Sequence, residues 1–174
     1  GTNVENIDQL EDRQQFYQLL DEINIPHMEG EIVYDINSLK DAAAKIGYPV
    51  LVRPSYVIGG QSMYTFYAED ELSFYIEHLK EENYHVWPLL VDQFVPGTEC
   101  ELDVVSDGKN IYIPAIFEHV EKAGVHSGDS IAVFPPVQLS KEIQEVLVDY
   151  TKRICEGASI VGLANIQFII KNST

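Results

Sequence analysis

The segment Tyr48-Pro49-Val50-Leu51-Val52-Arg53-Pro54-Ser55-Tyr56-Val57-Ile58-Gly59-Gly60 constrains this chain more than any other, because an apolar run carries one arginine directly into a glycine-containing turn. Val50-Leu51-Val52 has the branched residues and short length of a buried strand. Arg53 then stands at the mouth of that strand, and Pro54 biases it away from helical backbone angles. Gly59 and Gly60 permit turns and close ligand approach that side chains would obstruct. Met63, Thr65 and Tyr67 alternate with Tyr64 and Phe66, the pattern of a return strand. A hairpin with such a tip can fold over a nucleotide and offer its phosphates a cation and backbone amides; it can equally be an ordinary hairpin with a surface arginine. It is not a Walker A loop, since no Gly-Lys-Ser/Thr follows, nor the dinucleotide fingerprint Gly-x-Gly-x-x-Gly.

The charge balance sharpens the point. A net charge of −17 over 174 residues argues against a nonspecific nucleic-acid or anionic-membrane surface, because both depend on excess positive potential. Any anion site must then be assembled from a few placed cations, and the arginines are only Arg13, Arg53 and Arg153. The length suffices for a substantial core in one domain or two small lobes. Cys100 and Cys155 are far apart and lack metal-type spacing, so both are expected as reduced thiols in a cytoplasmic protein. No run approaches the roughly 18 apolar residues that span a bilayer, and the N-terminus lacks a signal-peptide core, so a soluble chain is expected.

Along the chain, Phe16, Leu19, Leu20 and Ile23 predict one helix over 10–23, with Asp8 as its cap and Pro26 beyond its end. A short strand near Glu31–Tyr34 is followed by a helix from about Ser38 to Ile46, capped by Asn37 and ended by Gly47. After the arginine hairpin come a helix over Glu69–Lys80 and a strand over 89–95 that leads into a bend at Pro96-Gly97. Strands over 99–105 and 110–117 are joined by Asp107-Gly108, a good hairpin pair. The polar, glycine-punctuated segment 118–130 predicts an irregular loop, followed by a short strand ending at Pro135-Pro136. A helix from about Lys141 to Glu156 and a final strand over Gly162–Ile170 complete the chain. Strands mostly in hairpins with interspersed helices indicate the α+β class. The expected division is an N-terminal helical part at about 1–48, a small lobe at about 49–95 and an incomplete larger lobe at about 96–174.

Three further constellations carry potential chemistry. Gln93 and Val95 end a strand at a proline bend, which leaves backbone groups able to pair with an adenine edge, and Glu99 beyond the bend can accept hydrogen bonds from ribose hydroxyls; a solvent-facing strand carboxylate is the plain alternative. The segment Glu118-His119-Val120-Glu121-Lys122-Ala123-Gly124-Val125-His126-Ser127-Gly128-Asp129-Ser130 is dense in donors and acceptors, as ligand-carrying loops are. His119 and His126 make a poor zinc site, being seven residues apart with no third ligand. Asn165 and Gln167 share one strand face, where an amide oxygen can ligate a hard cation such as magnesium or simply serve the sheet. No arrangement suited to a protein nucleophile stands out.

Taken in order, the arginine strand with Pro-Ser-Tyr-Val-Ile-Gly-Gly, the Glu-His-Val-Glu-Lys-Ala-Gly-Val-His-Ser-Gly-Asp-Ser loop and the Asn-Ile-Gln-Phe strand closely resemble the ATP-grasp domains of the carbamoyl-phosphate synthase large chain. The resemblance spans nearly the whole sequence, and the Tyr56-Val57-Ile58-Gly59-Gly60 form resembles the second, carbamate-phosphorylating half. It implies an ATP-grasp fold of two α+β lobes with a nucleotide cleft between them. It further implies that Arg53 and Arg13 contact ATP phosphates, with Arg53 in the catalytic role, and that Gly59-Gly60 lie in the phosphate-covering loop. Gln93 and Val95 would form the adenine hinge and Glu99 would hold the ribose. Gly124, Val125, His126 and Ser127 would line the nucleotide site, and Gln167 would ligate the Mg²⁺ or Mn²⁺ that bridges the phosphates. The implied partners are the remainder of the large chain, a glutaminase small subunit, ATP and carbamate, with no nucleic acid and no membrane.

Gln61-Ser62 departs from the basic residue often found there in the family's second half, which removes a charge from the loop. The family's Glu-x-Asn metal ligands would lie on a strand beyond Thr174, so the sequence is expected to be a C-terminally truncated piece. The rival readings are another ATP-grasp ligase, such as a biotin-dependent carboxylase, and a noncatalytic nucleotide-binding or assembly module. The isolated 174 residues are expected to make no carbamoyl phosphate; turnover of carbamate and ATP by the purified polypeptide would contradict this.

Overall fold

The computed structural model describes residues 1–54, 63–81, 87–123 and 130–171. They fall into two compact units, one formed by Met28–Val95 and the other by Gly1–His27 with Pro96–Thr174. The N-terminal part expected over about 1–48 is thus shared between the units.

In the Met28–Val95 unit, β1 (Gly30–Val33), α3 (Ile36–Ile46), β2 (Val50–Pro54), β3 (Tyr64–Phe66), α4 (Glu69–Glu81) and β4 (Leu89–Gln93) follow two N-terminal helices that belong to the other unit. The sheet order is β1-β4-β2-β3, with every pair antiparallel. Val50, Val52, Leu89 and Val91 turn to one face and meet Leu39, Ala42 and Ala43 of α3 and Leu72 and Ile76 of α4. Those helical positions recur at three- and four-residue spacing, which places them on one stripe of each helix. The cap of α3 is Asp35 rather than Asn37, because its carboxylate accepts from Asn37 N–H at 2.8 Å and Ser38 N–H at 2.9 Å. The helix therefore begins two residues earlier than expected. Gly47, at φ +84°, ends it, a backbone angle that side chains disfavour.

The other unit opens with α1 (Val4–Glu11) and α2 (Arg13–Glu22), two helices where the apolar spacing predicts one. Asp12 makes the break. Its backbone is extended at φ −77°, ψ 114°, and its side chain accepts from Gln15 N–H at 2.9 Å, so it starts α2 as an N-cap. Asp8, the expected cap, lies inside α1, where its carbonyl accepts from Asp12 N–H.

The second sheet comprises β5 (Thr98–Asp107), β6 (Ile111–Tyr112), β7 (Ile116–Lys122), β8 (Ala132–Val133) and β9 (Val161–Ile170), with α5 (Lys141–Gly157) before the last strand. β5 is its centre: it pairs β6 and β7 along one edge and β9 along the other, running in register from Thr98 opposite Ile170 to Asp107 opposite Val161. Alternation sends Cys100, Leu102 and Val104 into the core with Ile166, Phe168, Leu147 and Cys155. At the hairpin tip, the Asn110 side chain and neighbouring N–H groups hold Asp107 down at about 2.

The first part of 118–130 is not irregular, as its polarity suggested: 116–122 is β7. Its polarity is absorbed by pairing and by placed partners. Glu118, only 2% exposed, accepts from the N–H groups of Val137 and Gln138 at 2.7 and 2.8 Å, anchoring the segment that leads to α5. A buried carboxylate requires such donors. No described helix is long and apolar enough to cross a membrane.

Both cysteines are free and buried. Burial, then the nearby Glu118, Glu101 and Glu99 carboxylates, push the Cys100 thiol up to about 12, and burial likewise raises Cys155. The reactive thiolate is therefore suppressed at both positions. A disulfide reagent at pH 8 is expected to modify neither thiol rapidly in the folded chain and both on addition of denaturant, read as released chromophore; fast native-state reaction at Cys100 would contradict the burial.

Candidate functional site

In the Met28–Val95 unit, Arg53 projects from β2 on the face opposite the core. Its register partner on β4 is Leu90, and its guanidinium Nη2 lies diagonally 3.6 Å from Asp92 Oδ2. Asp92 is 1% exposed, whereas the arginine side chain is 32% exposed. The carboxylate is thus the buried anchor and the guanidinium the part that reaches solvent. Space for the anchor comes from Gly30, the cross-strand partner of Asp92 on β1. A Cβ at Gly30 would stand 2.3 Å from Asp92 Oδ1, closer than atoms can approach. Neither Asp92 nor Gly30 emerges from the sequence reading. The available signal was a carboxylate embedded in the apolar run Leu89-Leu90-Val91.

Gln93 ends β4 opposite Val50, with its N–H donating to Glu29 carbonyl at 2.8 Å. Phe94 N–H donates to Pro49 carbonyl at 3.0 Å, and Val95 follows outside the strand. The candidate adenine hinge is therefore held at its start by two backbone bonds. Gly59, Gly60 and the departure at Gln61-Ser62 lie outside the described residues, as do Gly124, Val125, His126 and Ser127.

In the other unit, the β5–β9 ladder assembles a polar sheet face. Glu99, Glu101 and Asp103 alternate with the core residues of β5, and the register sets Glu101 opposite Gln167 and Asp103 opposite Asn165. Asn165 Nδ2 donates to Asp103 Oδ1 at 3.0 Å and lies 3.4 Å from Glu101 Oε2; Gln167 Nε2 donates to the same Glu101 oxygen at 3.3 Å. His119 enters this face from β7, 3% exposed, with Nδ1 3.5 Å from Glu99 Oε2 and Nε2 3.8 Å from Glu101 Oε1. Glu121 continues the row. The Ser130 hydroxyl, then Ile131 N–H, hold its carboxyl below the ordinary range.

The expected Glu99 and Gln167 therefore share one sheet face, where Gln167 bonds Glu101 and His119 lies between Glu101 and Glu99; Glu101 is not a residue the sequence singles out. Arg13 sits on α2, where its Nε donates to the Tyr17 hydroxyl at 2.9 Å and its guanidinium lies 5.3 Å from that ring's centroid. Tyr17 in turn stacks on His27 at 4.2 Å.

Oxygen donors of the kind a hard cation takes are present on this face. With their nitrogens turned to carboxylates, Asn165 and Gln167 have carbonyl oxygens that those bonds do not use. Among the described residues, no group of three or more His, Cys, Asp or Glu side chains is arranged to hold a metal. A cation here would accordingly rest on Gln167 and Glu101 together with oxygens from a ligand.

The architecture is shared with solved ATP-grasp proteins. It is similar to biotin carboxylase from Campylobacter jejuni, bound to an ATP analogue, with a TM-score of 0.80 and 17% identity over 98% of this chain and 40% of that one. It is also similar to the biotin carboxylase domain of Hydrogenobacter thermophilus 2-oxoglutarate carboxylase, solved with MgADP, ADP and bicarbonate, with a TM-score of 0.76 and 20% identity over 96% and 38%. A third likeness is to D-alanyl-alanine synthetase A from Vibrio cholerae, with a TM-score of 0.74 and 18% identity over 98% and 54%. This chain spans between 38% and 54% of the length of those three proteins. The fold is thus the ATP-grasp fold. More narrowly, residues 12–174 match the family model described as the carbamoyl-phosphate synthase L chain, ATP binding domain, and the chain belongs to that family.

Replacing Arg53 with methionine removes the cation 3.6 Å from the buried Asp92 carboxylate. The expected loss is about 3 kcal/mol, at the low end for a broken buried pair because the arginine itself is partly solvated. Arg53→Met with Asp92→Leu is expected to recover part of it, read by urea denaturation; equal losses in the single and double variants would contradict the pair's role.

Proposed function

We propose that this chain is the nucleotide-binding part of the second ATP-grasp half of a carbamoyl-phosphate synthase large chain, which phosphorylates carbamate with Mg·ATP. The observation that carries the reading is the family match over 12–174, together with the arginine strand and the Ala-Gly-Val-His-Ser-Gly-Asp-Ser loop of this sequence. In the reaction, a carbamate oxygen attacks the γ-phosphorus, the new O–P bond forms as the bond to the β-phosphate oxygen breaks, and ADP departs with the electron pair. Such transfer asks the protein for in-line positioning and neutralisation of charge rather than covalent chemistry.

Arg53 is the candidate cation for the transferring phosphoryl group, held by Asp92 so that little reorganisation is needed when charge develops. Arg13 is the second phosphate ligand, Gly59-Gly60 cover the phosphates and residues 124–127 line the nucleotide. Gln93 and Val95 receive the adenine, and Glu99 receives the ribose hydroxyls. Gln167, with Glu101 beside it, would hold the Mg²⁺ or Mn²⁺, which when bound neutralises charge on the phosphate oxygens. Exclusion of water by a covering loop would protect carbamate from decomposition. The partners under this reading are the remainder of the large chain and a glutaminase subunit that supplies ammonia.

The biotin carboxylase likeness favours, as a second reading, a ligase of the same fold with another acceptor. Running the step backwards separates them. The intact protein given carbamoyl phosphate and Mg·ADP is expected to form ATP, and Arg53→Ala to lower that rate by at least a hundredfold, the scale of removing one transition-state charge contact. No ATP from carbamoyl phosphate, with bicarbonate- and biotin-dependent ATP hydrolysis instead, would overturn the proposal.

A further inference from the structure

We infer that His119 is a positioning residue for the nucleotide sugar: its ring is wedged between Glu99 and Glu101 and fixes the direction of the Glu99 carboxylate. The inference rests on the reading of Glu99 as the ribose ligand and adds a residue to it.

The geometry comes from a break in the ladder. Thr98 pairs with Lys122 and Cys100 with Glu118, so two steps along β5 correspond to four along β7. The extra β7 residues lie opposite Glu99. A bulge of this kind re-aims side chains, and here it brings His119 against the acidic face while its neighbour Glu118 remains on the core side. Glu99 and Glu101 project from the same face of β5, two residues and therefore roughly 7 Å apart along the strand. A single imidazole spans the interval, Nδ1 toward Glu99 at 3.5 Å and Nε2 toward Glu101 at 3.8 Å.

These separations exceed those of direct hydrogen bonds. Among the described residues, Nδ1 of this nearly inaccessible ring has no hydrogen-bond partner. The histidine therefore acts at longer range, through a ring N–H turned toward Glu99 and through its bulk: it fills the interval between the two acids and limits the directions the Glu99 carboxylate can take. Glu99 and Glu101 retain 19% and 24% side-chain exposure, whereas the histidine side chain retains 2%. The acids can thus meet a ligand while the ring cannot. Glu101 also receives Gln167, so the same wedge sets the carboxylate beside the candidate cation ligand.

The test is reverse phosphoryl transfer in the intact protein, from carbamoyl phosphate to ADP or to 2′,3′-dideoxy-ADP. The readout is the ratio of kcat/KM for the two nucleotides. This ratio does not depend on the fraction of molecules that fold. In the wild type it favours ADP, and Glu99→Ala removes the preference. His119→Asn places an amide nitrogen where Nδ1 stands and is expected to keep the ratio within about twofold. His119→Gln places its amide near Nε2 instead and is expected to lower the ratio about tenfold, through KM for ADP, the scale of one charge-assisted hydrogen bond. If His119→Asn and His119→Gln give the same ratio, whether retained or lost, while Glu99→Ala abolishes the preference, the positioning role is overturned and the ribose reading stands. If the wild type shows no preference for ADP, the ribose reading falls and the inference falls with it.

Discussion

The ten-residue ladder between β5 and β9 is the constraint on which the larger unit depends. Strand side chains alternate with a period of two, so the register that buries Cys100, Leu102 and Val104 against Phe168, Ile166 and Ala164 also fixes the polar face. A slip of one residue would bring Glu99, Glu101 and Asp103 into the core and expose the apolar set. The penalty for burying three carboxylates against apolar side chains makes that alternative inaccessible. Packing thus decides which face the acids and amides occupy, and the amide-to-carboxylate hydrogen bonds across the ladder then orient them.

A comparable logic governs the arginine strand. The body of the protein is strongly anionic, which raises the potential cost of bringing a polyphosphate near it. Under the proposed function Arg53 would answer this locally; its stem lies on a sheet whose other face is core and its head is tied to a buried aspartate. The glycine facing that aspartate is as much a part of the arrangement as the charges are, since any side chain there would displace the anchor. If Arg53 is a phosphate ligand as proposed, removing it would act through two routes, lost ligand attraction and a weakened setting for the buried Asp92 carboxylate.

Much of the fold could be read from pattern alone, and the failures have physical causes. The apolar run at 50–52, the Asp107-Gly108 tip and the helix with Leu147 and Ile154 on one side announced themselves because burial and turn chemistry act locally. The α1–α2 break escaped because Asp12 satisfies the next helix's donors while the apolar spacing runs on across it. β7 escaped because its polarity is matched by partners distant in sequence, the N–H groups of 137–138 and the strand β5. Of the candidate residues in the two units, Arg53, Glu99 and Gln167 are visible as residue types in suggestive places. Asp92, Gly30, Glu101 and His119 required knowledge of which strands lie side by side.

Amide hydrogen exchange of the intact protein with and without Mg·ADP tests most directly whether the polar face and the segment after β4 bind nucleotide. The account predicts slowed exchange in peptides covering residues 93–99, where adenine and ribose would dock, with no comparable slowing in α4, which carries no candidate ligand. Unchanged exchange over 93–99 at nucleotide concentrations that saturate the protein would contradict it.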